Sequence, residues 1–424
     1  MTIFLIYIAI FVISMLAYSQ ISKFMTQKDD FTSRKTVTFG DESAVTSNRF
    51  ASIISVLAIF LIWGAFTGSK LTPIHVPGPY IGTANLPFEA VNDAGEKAAG
   101  SLRVVVHPVA ENPSLPPVDP AGSAGFGKNA VKGVGSWRTV LVSSSELLDK
   151  QAAGDNPRII AVDGKPIGPN TEIDVPTGKV RMTDKGSIVY EPAKGWQMEP
   201  IWLPAPEAVW GKLVDIASNG YRNVTLFDNL FWSLFRVTVG FVLGSLVGIP
   251  LGYAMGLSGW FRGWFDPIVE FMRPVPPLAL IPLIIIWFGI WETGKISLLF
   301  LAALWIMTIA ARSGVSGVRI TKVHAAYSLG ASKWQLLTRV IVPNSLPDIF
   351  TGARVAMGVC WGTVVAAELV AAEKGAGQMI IAASKFQSTD IVIMGIILIG
   401  IIGFGIDILM RMAEKWLVPW KGKA

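Results

Sequence analysis

Cysteine, histidine and charge are all scarce in this chain. One cysteine, Cys360, stands among 424 residues, so no disulfide framework forms within it. The apolar stretch around Cys360 marks a buried, inert thiol rather than a nucleophile. Three histidines, His75, His107 and His324, have no metal-ligand spacing to one another or to Cys360, so no metal centre or catalytic constellation is expected. Charged residues make up 16%, against about a quarter in a soluble domain. With 51% hydrophobic residues and a mean hydropathy of +0.50, the composition argues against a soluble globular protein. Basic residues outnumber acidic ones 36 to 30, and at this hydropathy the +6 excess points to loops facing an anionic membrane surface, not to nucleic acid.

What the chain does have is long apolar runs. A helix crossing the bilayer core needs about 20 mainly apolar residues, because its backbone must be satisfied internally. Seven segments qualify: Ile3 to Ile21, Ala51 to Phe66, Leu230 to Ser258, Leu278 to Trp291, Ile296 to Ala311, Phe350 to Ala371 and Ile391 to Met410. The first is expected to be retained, since nothing basic precedes it and no small-residue cleavage pattern follows. Lys23, Lys28, Arg34 and Lys35 after it place residues 22 to 50 inside the cell. Alternation then puts 67 to 229 outside and the loops 259 to 277 and 312 to 349 inside. The acid-free set Arg319, Lys322, Lys333 and Arg339, and the tail residues Lys415, Lys421 and Lys423, agree with that orientation.

Between the second and third segments, residues 68 to 198 turn to Gly, Pro, Asp and Lys. Thirteen basic and thirteen acidic residues cancel there, so the whole +6 belongs to the remainder. The β-branched runs Arg103 to Val106, Thr139 to Ser143, Arg158 to Val162 and Ser187 to Tyr190, separated by turn pairs such as Asp163-Gly164, predict a small β-rich domain. Residues 112 to 135 are expected to be a loop. They carry Gly122 to Asn129, one residue short of a phosphate-binding P-loop. Asn129 stands where the magnesium-binding hydroxyl belongs, and the strand-before, helix-after context is missing.

The third segment carries Gly240, Gly244, Gly248, Gly252 and Gly256, a ridge without side chains suited to close helix packing. Arg236 and Glu368 are ionisable groups inside apolar segments, at similar height near the outer surface; they either pair with each other or snorkel to the interface. Glu270 and Arg273, at i and i+3 before Pro274-Val-Pro-Pro277, form another candidate pair. With Trp361 these four are the candidate pathway or gate residues. Pro206 to Ile216 predicts an outer-surface helix with Val209, Leu213 and Ile216 on its apolar face and Trp210 at headgroup level.

The stretch from Thr321 to Arg354 is the most informative. It begins Lys322-Val-His324-Ala325-Ala326-Tyr-Ser-Leu329-Gly330-Ala331-Ser332 and runs through Ile341-Val-Pro343. Small residues let a short helix sink into a groove on another protein, and Gly330 permits the turn out of it. A membrane chain without a nucleotide site, presenting such a helix to the cytoplasm, is configured for coupling to a soluble partner.

Here the sequence resembles the permease subunits of ATP-binding-cassette importers, whose coupling loop reads EAA, three residues, G, then I-x-L-P after a spacer. His324 stands in place of the first glutamate, and Ile341-Val342-Pro343 comes one spacer position early. Glu270-Phe-Met-Arg273-Pro-Val-Pro-Pro277, Ile286-Trp-Phe-Gly289-Ile-Trp-Glu292 and Val365-Ala-Ala-Glu368-Leu-Val-Ala-Ala372 are similar to the nitrate, sulfonate and taurine branch, closest in wording to its taurine permeases. The resemblance runs from about Leu203 to Pro419.

It implies an all-α polytopic membrane protein with the type I ABC importer permease fold, six core spans plus one extra N-terminal span, and an inserted small β-rich extracytoplasmic domain. The divisions are 1–50, the extra helix and a cytoplasmic linker; 51–67, the first core helix; 68–198, the inserted periplasmic domain; and 199–424, the permease core with its coupling loop at 319–347. His324, Ala325, Ala326, Leu329, Gly330, Ala331 and Pro343 are the implied ATPase-coupling residues. The implied partners are two ABC ATPase subunits, a periplasmic solute-binding protein, a second permease copy and membrane lipid in the bacterial inner membrane. ATP and magnesium sit on the ATPase, with no cofactor on this chain. The implied cargo is taurine or another sulfonate, with nitrate, an aliphatic sulfonate or a pyrimidine precursor as alternatives; a membrane-anchored periplasmic receptor or scaffold is the reading from a different class.

Overall fold

The computed structural model describes residues 2–25, 49–109, 111, 113–119, 123–154 and 156–420. The expected linker charges Lys28, Arg34 and Lys35, the tail residues Lys421 and Lys423, and Gly122 lie outside them. The chain divides into two compact units, Met1–Glu207 and Ala208–Ala424.

The first unit opens with helices α1 (Thr2–Met25) and α2 (Arg49–Thr67). Nine strands follow among the described residues, in two sheets. β1 (Gly82–Val91), β2 (Lys97–His107), β3 (Ala130–Gly135), β5 (Arg158–Val162) and β6 (Lys165–Pro166) form one, in the order β3-β2-β1-β5-β6. β4 (Val140–Val142), β7 (Glu172–Val175), β8 (Gly178–Met182) and β9 (Ile188–Pro192) form the other, ordered β4-β9-β8-β7. Alternation does the sorting: Ala84, Leu86, Phe88 and Ala90 of β1 face inward with Leu102, Val104 and Val106 of β2, and share one core with Val180, Ile188 and Tyr190 of the second sheet.

Short helices α3 (Ser144–Leu147) and α4 (Lys150–Ala153) add Leu147 and Ala153 to that core. Asp149 caps α4 and pairs with Lys128 at 2.9 Å. The Lys128 ammonium, helped by the Ala152 and Gln151 amides, holds its carboxyl below the usual carboxylate range.

Residues 112 to 135, expected as a loop, end in a strand: β3 pairs in parallel with β2 from Leu102↔Ala130 to His107↔Gly135. Its Ala-Val-Lys-Gly-Val-Gly sequence has too little β-branched character to announce a strand, and the neighbouring edge imposes one. The P-loop look-alike is committed to the same edge. A Cβ at Gly127 would lie 2.2 Å from the Ala99 carbonyl oxygen, and the Asn129 side chain accepts from the Ser101 amide and donates to the Asp119 carbonyl.

The chain is stitched together where it leaves α2 and where it returns from the sheets. Met198 N–H donates to the Phe66 carbonyl at 2.8 Å, Trp63 Nε1 to the Pro204 carbonyl at 2.9 Å, and Ser69 Oγ to the Glu207 carboxylate at 2.6 Å. Burial opposes ionisation of Glu207, yet the Ser69 hydroxyl and the Lys70 amide outweigh it and keep the carboxyl below its ordinary value.

Next comes α5 (Pro206–Asn219), with Val209 and Ile216 buried and Trp210 exposed, the pattern of an amphipathic surface helix. The second unit then continues with α6 (Leu226–Leu257) and α7 (Gly259–Met272), a 3₁₀ turn (Pro277–Leu280) and α8 (Ile281–Phe288), and α9 (Glu292–Ser316). After these come α10 (Ile320–Ser328), α11 (Lys333–Leu336), a π turn (Leu337–Ile341), α12 (Val342–Ala371), α13 (Ala376–Lys385) and α14 (Thr389–Leu417). Four helices among the described residues are long and apolar enough to cross a membrane: α6, α9, α11 through α12, and α14. The pair α7 and Pro277–Phe288, bent by 93°, counts as a fifth where the two are taken as one span. The N-terminal helices carry shorter apolar stretches, Ile8–Ala17 and Ala51–Thr67.

Two expectations are corrected here. Leu278 to Trp291 is not a continuous helix: it starts as a 3₁₀ turn and α8 stops at Gly289, whose φ of +73° ends it. Residues 259 to 277, expected as an inner loop, are mostly α7. Trp260, Phe261, Trp264, Ile268 and Phe271 recur at helical spacing against Arg262, Asp266 and Glu270, a pattern that forms a helix wherever one face is apolar.

The glycine ridge sets the architecture. A Cβ at Gly240 would meet Leu299 at 2.4 Å, at Gly244 Ala303 at 2.6 Å, at Gly248 the Leu304 carbonyl oxygen at 2.7 Å, at Gly252 the Thr308 carbonyl oxygen at 2.4 Å, and at Gly256 Val315 at 2.8 Å. The two helices thus lie backbone to backbone. Because the contacts advance together, α6 and α9 run parallel, and the chain between them must return the length of the bundle through α7 and α8. Helix α12 runs against α9, with Gly314 on Ser345 and Gly352 on Ala310, and α14 runs against α12.

Candidate functional site

The polar residues of α6 continue its glycine face. Arg236, Ser233 and Asn229 stand one, two and three turns before Gly240, and all are buried with the glycines. Arg236 is 1% exposed, so it does not snorkel. Its Nη1 meets Glu368 of α12 at 2.6 Å, while Nε and Nη2 grip both oxygens of Glu292, the first residue of α9, at 2.6 and 2.8 Å. Nη1 also donates to the Lys374 carbonyl at 2.8 Å. A planar fork reaches two carboxylates on two helices at once, which a lysine does not. Arg236 lies over the Trp232 ring at 5.7 Å.

Glu368 is fully buried, and its carboxylate accepts a hydroxyl and an amide besides Arg236. Ser233 Oγ donates to it at 2.8 Å, and the Gly377 amide at the start of α13 donates at 3.0 Å. The adjoining amides of Gly375 and Ala376 donate to Asn229 Oδ1 and Ser233 Oγ, both at 2.9 Å. Gly375 has φ +146°, and a Cβ there would lie 2.4 Å from the Glu368 carboxyl carbon, so a side chain would displace the carboxylate. Lys295, 8% exposed, completes the set by donating to Glu292 at 2.9 Å. The cluster clamps α6, α9, α12 and the start of α13 at one end of the bundle.

Beside it opens a cavity of about 300 Å³, lined by Trp232, Arg236, Trp291, Glu292, Lys295, Glu373 and Lys374 with Ile290. Glu292 and Lys295, which escape the sequence reading, are thus as central as the pair it singles out. Both sit at the start of an apolar run, where a charge looks like an ordinary helix end.

The other candidate gate residues lie apart. Glu270 and Arg273 are 3.8 Å apart and largely exposed, and the stronger partner of Glu270 is Arg312 of α9 at 3.1 Å, which also pairs with Asp266. Trp361 is buried where α12 packs on α14, its Nε1 donating to the Ile399 carbonyl at 3.1 Å. Cys360 is buried next to it, with Sγ 3.5 Å from the Leu299 carbonyl oxygen.

At the far end of α9 the chain forms a different surface. Helix α10 holds His324, Ala325 and Ala326 and ends in a Schellman motif: the Ala331 amide bonds the Ala326 carbonyl at 3.0 Å and the Gly330 amide bonds the Tyr327 carbonyl at 2.9 Å, with Gly330 at φ +81°. Ser332 then opens α11 with a full capping box to Gln335. The sharp corner is therefore built from both sides. Its inner face, with Val323 and Ala326, packs on Val315, Leu336 and Ile341. Its outer face leaves Leu329 89% exposed and Trp334 71% exposed. Pro343 follows the π turn at the start of α12, and its carbonyl accepts from Trp420 Nε1 at 3.2 Å.

Comparison with known proteins bears on both ends. Residues 244–418 match the family described as binding-protein-dependent transport system inner membrane component. The taurine transport system permease protein of Escherichia coli (strain K12) is 46% identical over 227 residues, covering 53% of this chain and 82% of that protein. The chain belongs to this family of importer permeases. The nitrate import permease protein of Leptolyngbya laminosa is 32% identical over 203 residues, 47% of this permease and 73% of the relative, and the match lies in the nitrate, sulfonate and taurine branch. Among solved structures, an inward-facing form of the MetNI methionine ABC transporter covers 49% of this permease and 97% of its own chain, with a TM-score of 0.39 at 16% identity. Subunits of this family are permeases, not enzymes.

Proposed function

We propose that this permease is the multi-pass inner-membrane subunit of an ATP-driven importer for a small sulfonate, taurine foremost, and that separate ATPases move it by gripping the corner formed by α10 and α11. The observation that carries the reading is the exposed apolar tip, Leu329 and Trp334, on a corner that its own chain braces rigidly from beneath. Uncovered large apolar side chains beside four cationic residues suit a protein groove, and the basic side belongs in the cytoplasm. His324, Ala325, Ala326, Gly330, Ala331 and Pro343 shape or flank that corner.

Two ATPases serve two permease copies, a solute-binding protein delivers cargo on the opposite side, and the strands between residues 82 and 192 face that delivery side. ATP-driven closure of the ATPases pushes α10 and re-aims the bundle. The cargo assignment is supported by the taurine and nitrate relatives. Reconstitution with the ATPase and binding protein tests it: ATP-dependent uptake of taurine above nitrate is expected. Uphill uptake by the permease without the ATPase overturns the coupling, and uptake of nitrate but of no sulfonate overturns the cargo.

A further inference from the structure

The cavity beside Arg236 has an uncommon charge balance. Two cations, Arg236 and Lys295, and two carboxylates, Glu292 and Glu368, cancel formally within the cluster. The rim adds one of each sign, Glu373 and Lys374. Within an apolar bundle, equal numbers of both signs are what limits the cost of burying any of them. Five charged side chains line the cavity itself, the cations Arg236, Lys295 and Lys374 and the carboxylates Glu292 and Glu373, so a bound solute lies among groups of both signs.

A molecule carrying both charges meets partners of both signs. Glu292 is half-exposed, Glu373 exposed, Lys295 buried and Lys374 half-buried, and all four line the cavity. Trp232 and Trp291 supply flat aromatic walls. At about 300 Å³ the space falls at the small end of ligand sites, which suits a solute of a few heavy atoms.

We infer that this cavity is a binding subsite of the permease itself for a small zwitterion, one that carries an ammonium group and a strong-acid anion a short chain apart. Glu292 and Glu373 take the ammonium; Lys295 and Lys374 take the anion. The proposal rests on the importer reading and deepens it, since it gives the permease a selectivity of its own: amino-sulfonates over plain sulfonates and over nitrate.

The test is equilibrium binding of radiolabelled taurine to the complete importer in lipid nanodiscs without ATP or binding protein, with ethanesulfonate and ethylamine as competitors that each keep one charge. Taurine is expected to compete at least about tenfold better than either, one charge-assisted contact being worth about that factor. Lys374→Gln is expected to weaken taurine and ethanesulfonate alike and leave ethylamine unchanged; Glu373→Gln should weaken taurine and ethylamine alike and leave ethanesulfonate unchanged. Both side chains lie at the rim and outside the ion cluster, and the competitor comparison on the unaltered protein does not depend on either variant folding. Equal competition by ethanesulfonate and taurine overturns the zwitterion subsite. So does absence of binding in an importer that moves taurine when supplied with ATP and binding protein, a result that leaves the importer reading standing. An importer that moves no sulfonate at all removes the importer reading instead.

Discussion

The two ends of α9 solve opposite problems. At Glu292 every buried charge has its partners within the chain: Arg236 is shared between two carboxylates, and Glu368 receives a hydroxyl and an amide as well. Beyond Ser316 the chain builds an equally well-braced corner and then leaves its largest apolar side chains uncovered. At one end the buried charges are satisfied within the chain, and at the other large apolar side chains are left uncovered. The difference teaches where stability resides, since changes to the buried ions of the first should unfold the protein and changes at the second should leave it folded.

The largest effect is expected from Arg236→Met. It leaves Glu368 fully buried without its cation, a loss of about 3–5 kcal/mol. Thermal unfolding of the purified protein measures it. The double change Arg236→Met with Glu368→Leu should recover much of the loss, because no charge is then stranded. A single change that costs under about 1 kcal/mol means that water reaches the cluster and the contrast between the two ends is smaller than drawn.

Next in size is the ridge that carries the clamp. Gly252→Val places a side chain against the Thr308 carbonyl and is expected to cost about 1–3 kcal/mol or more. Gly358→Ala in α12 meets nothing within 4 Å and should be neutral or gain up to about 1 kcal/mol from helix propensity. If the two variants unfold at the same temperature, α6 and α9 do not lie backbone to backbone.

Much of this was legible in the sequence. The glycine spacing announced the α6 face, and counting residues put Arg236 and Glu368 at one height. The same face also held the missed signal: Asn229, Ser233 and Arg236 extend the glycine ridge, so a polar site had to continue where α6 packs on its neighbours. Glu292 and Lys295 were hidden because charges at a helix start are ordinary. Arg312 was hidden because its partners Asp266 and Glu270 come from another helix. The strand β3 depends on a neighbour well along the chain, which local propensity does not register.

At the corner itself the expected stability effects shrink while the functional ones grow. Gly330→Ala meets open space but must hold φ near +81°, at a cost of about 1–2 kcal/mol; Asn, which tolerates that region, should cost less. Stimulation of the ATPase by loaded binding protein should fall in the same order, Ala more than Asn. Equal stimulation in both variants would separate the turn from coupling.

Leu329→Asp has the smallest expected effect on stability and sharpens the comparison most. Leu329 is 89% exposed, so little native packing is lost, and unfolding should move by no more than about 0.5 kcal/mol. Trp334 is exposed as well, and on the proposed coupling the ATPase covers both side chains. Charge there would have to be buried without a partner when the ATPase docks. Co-purification of the ATPase, together with its stimulation, should therefore drop by at least about tenfold while the melting curve stays in place. A variant that binds the ATPase normally would show that the corner, however well built, is not where the engine takes hold.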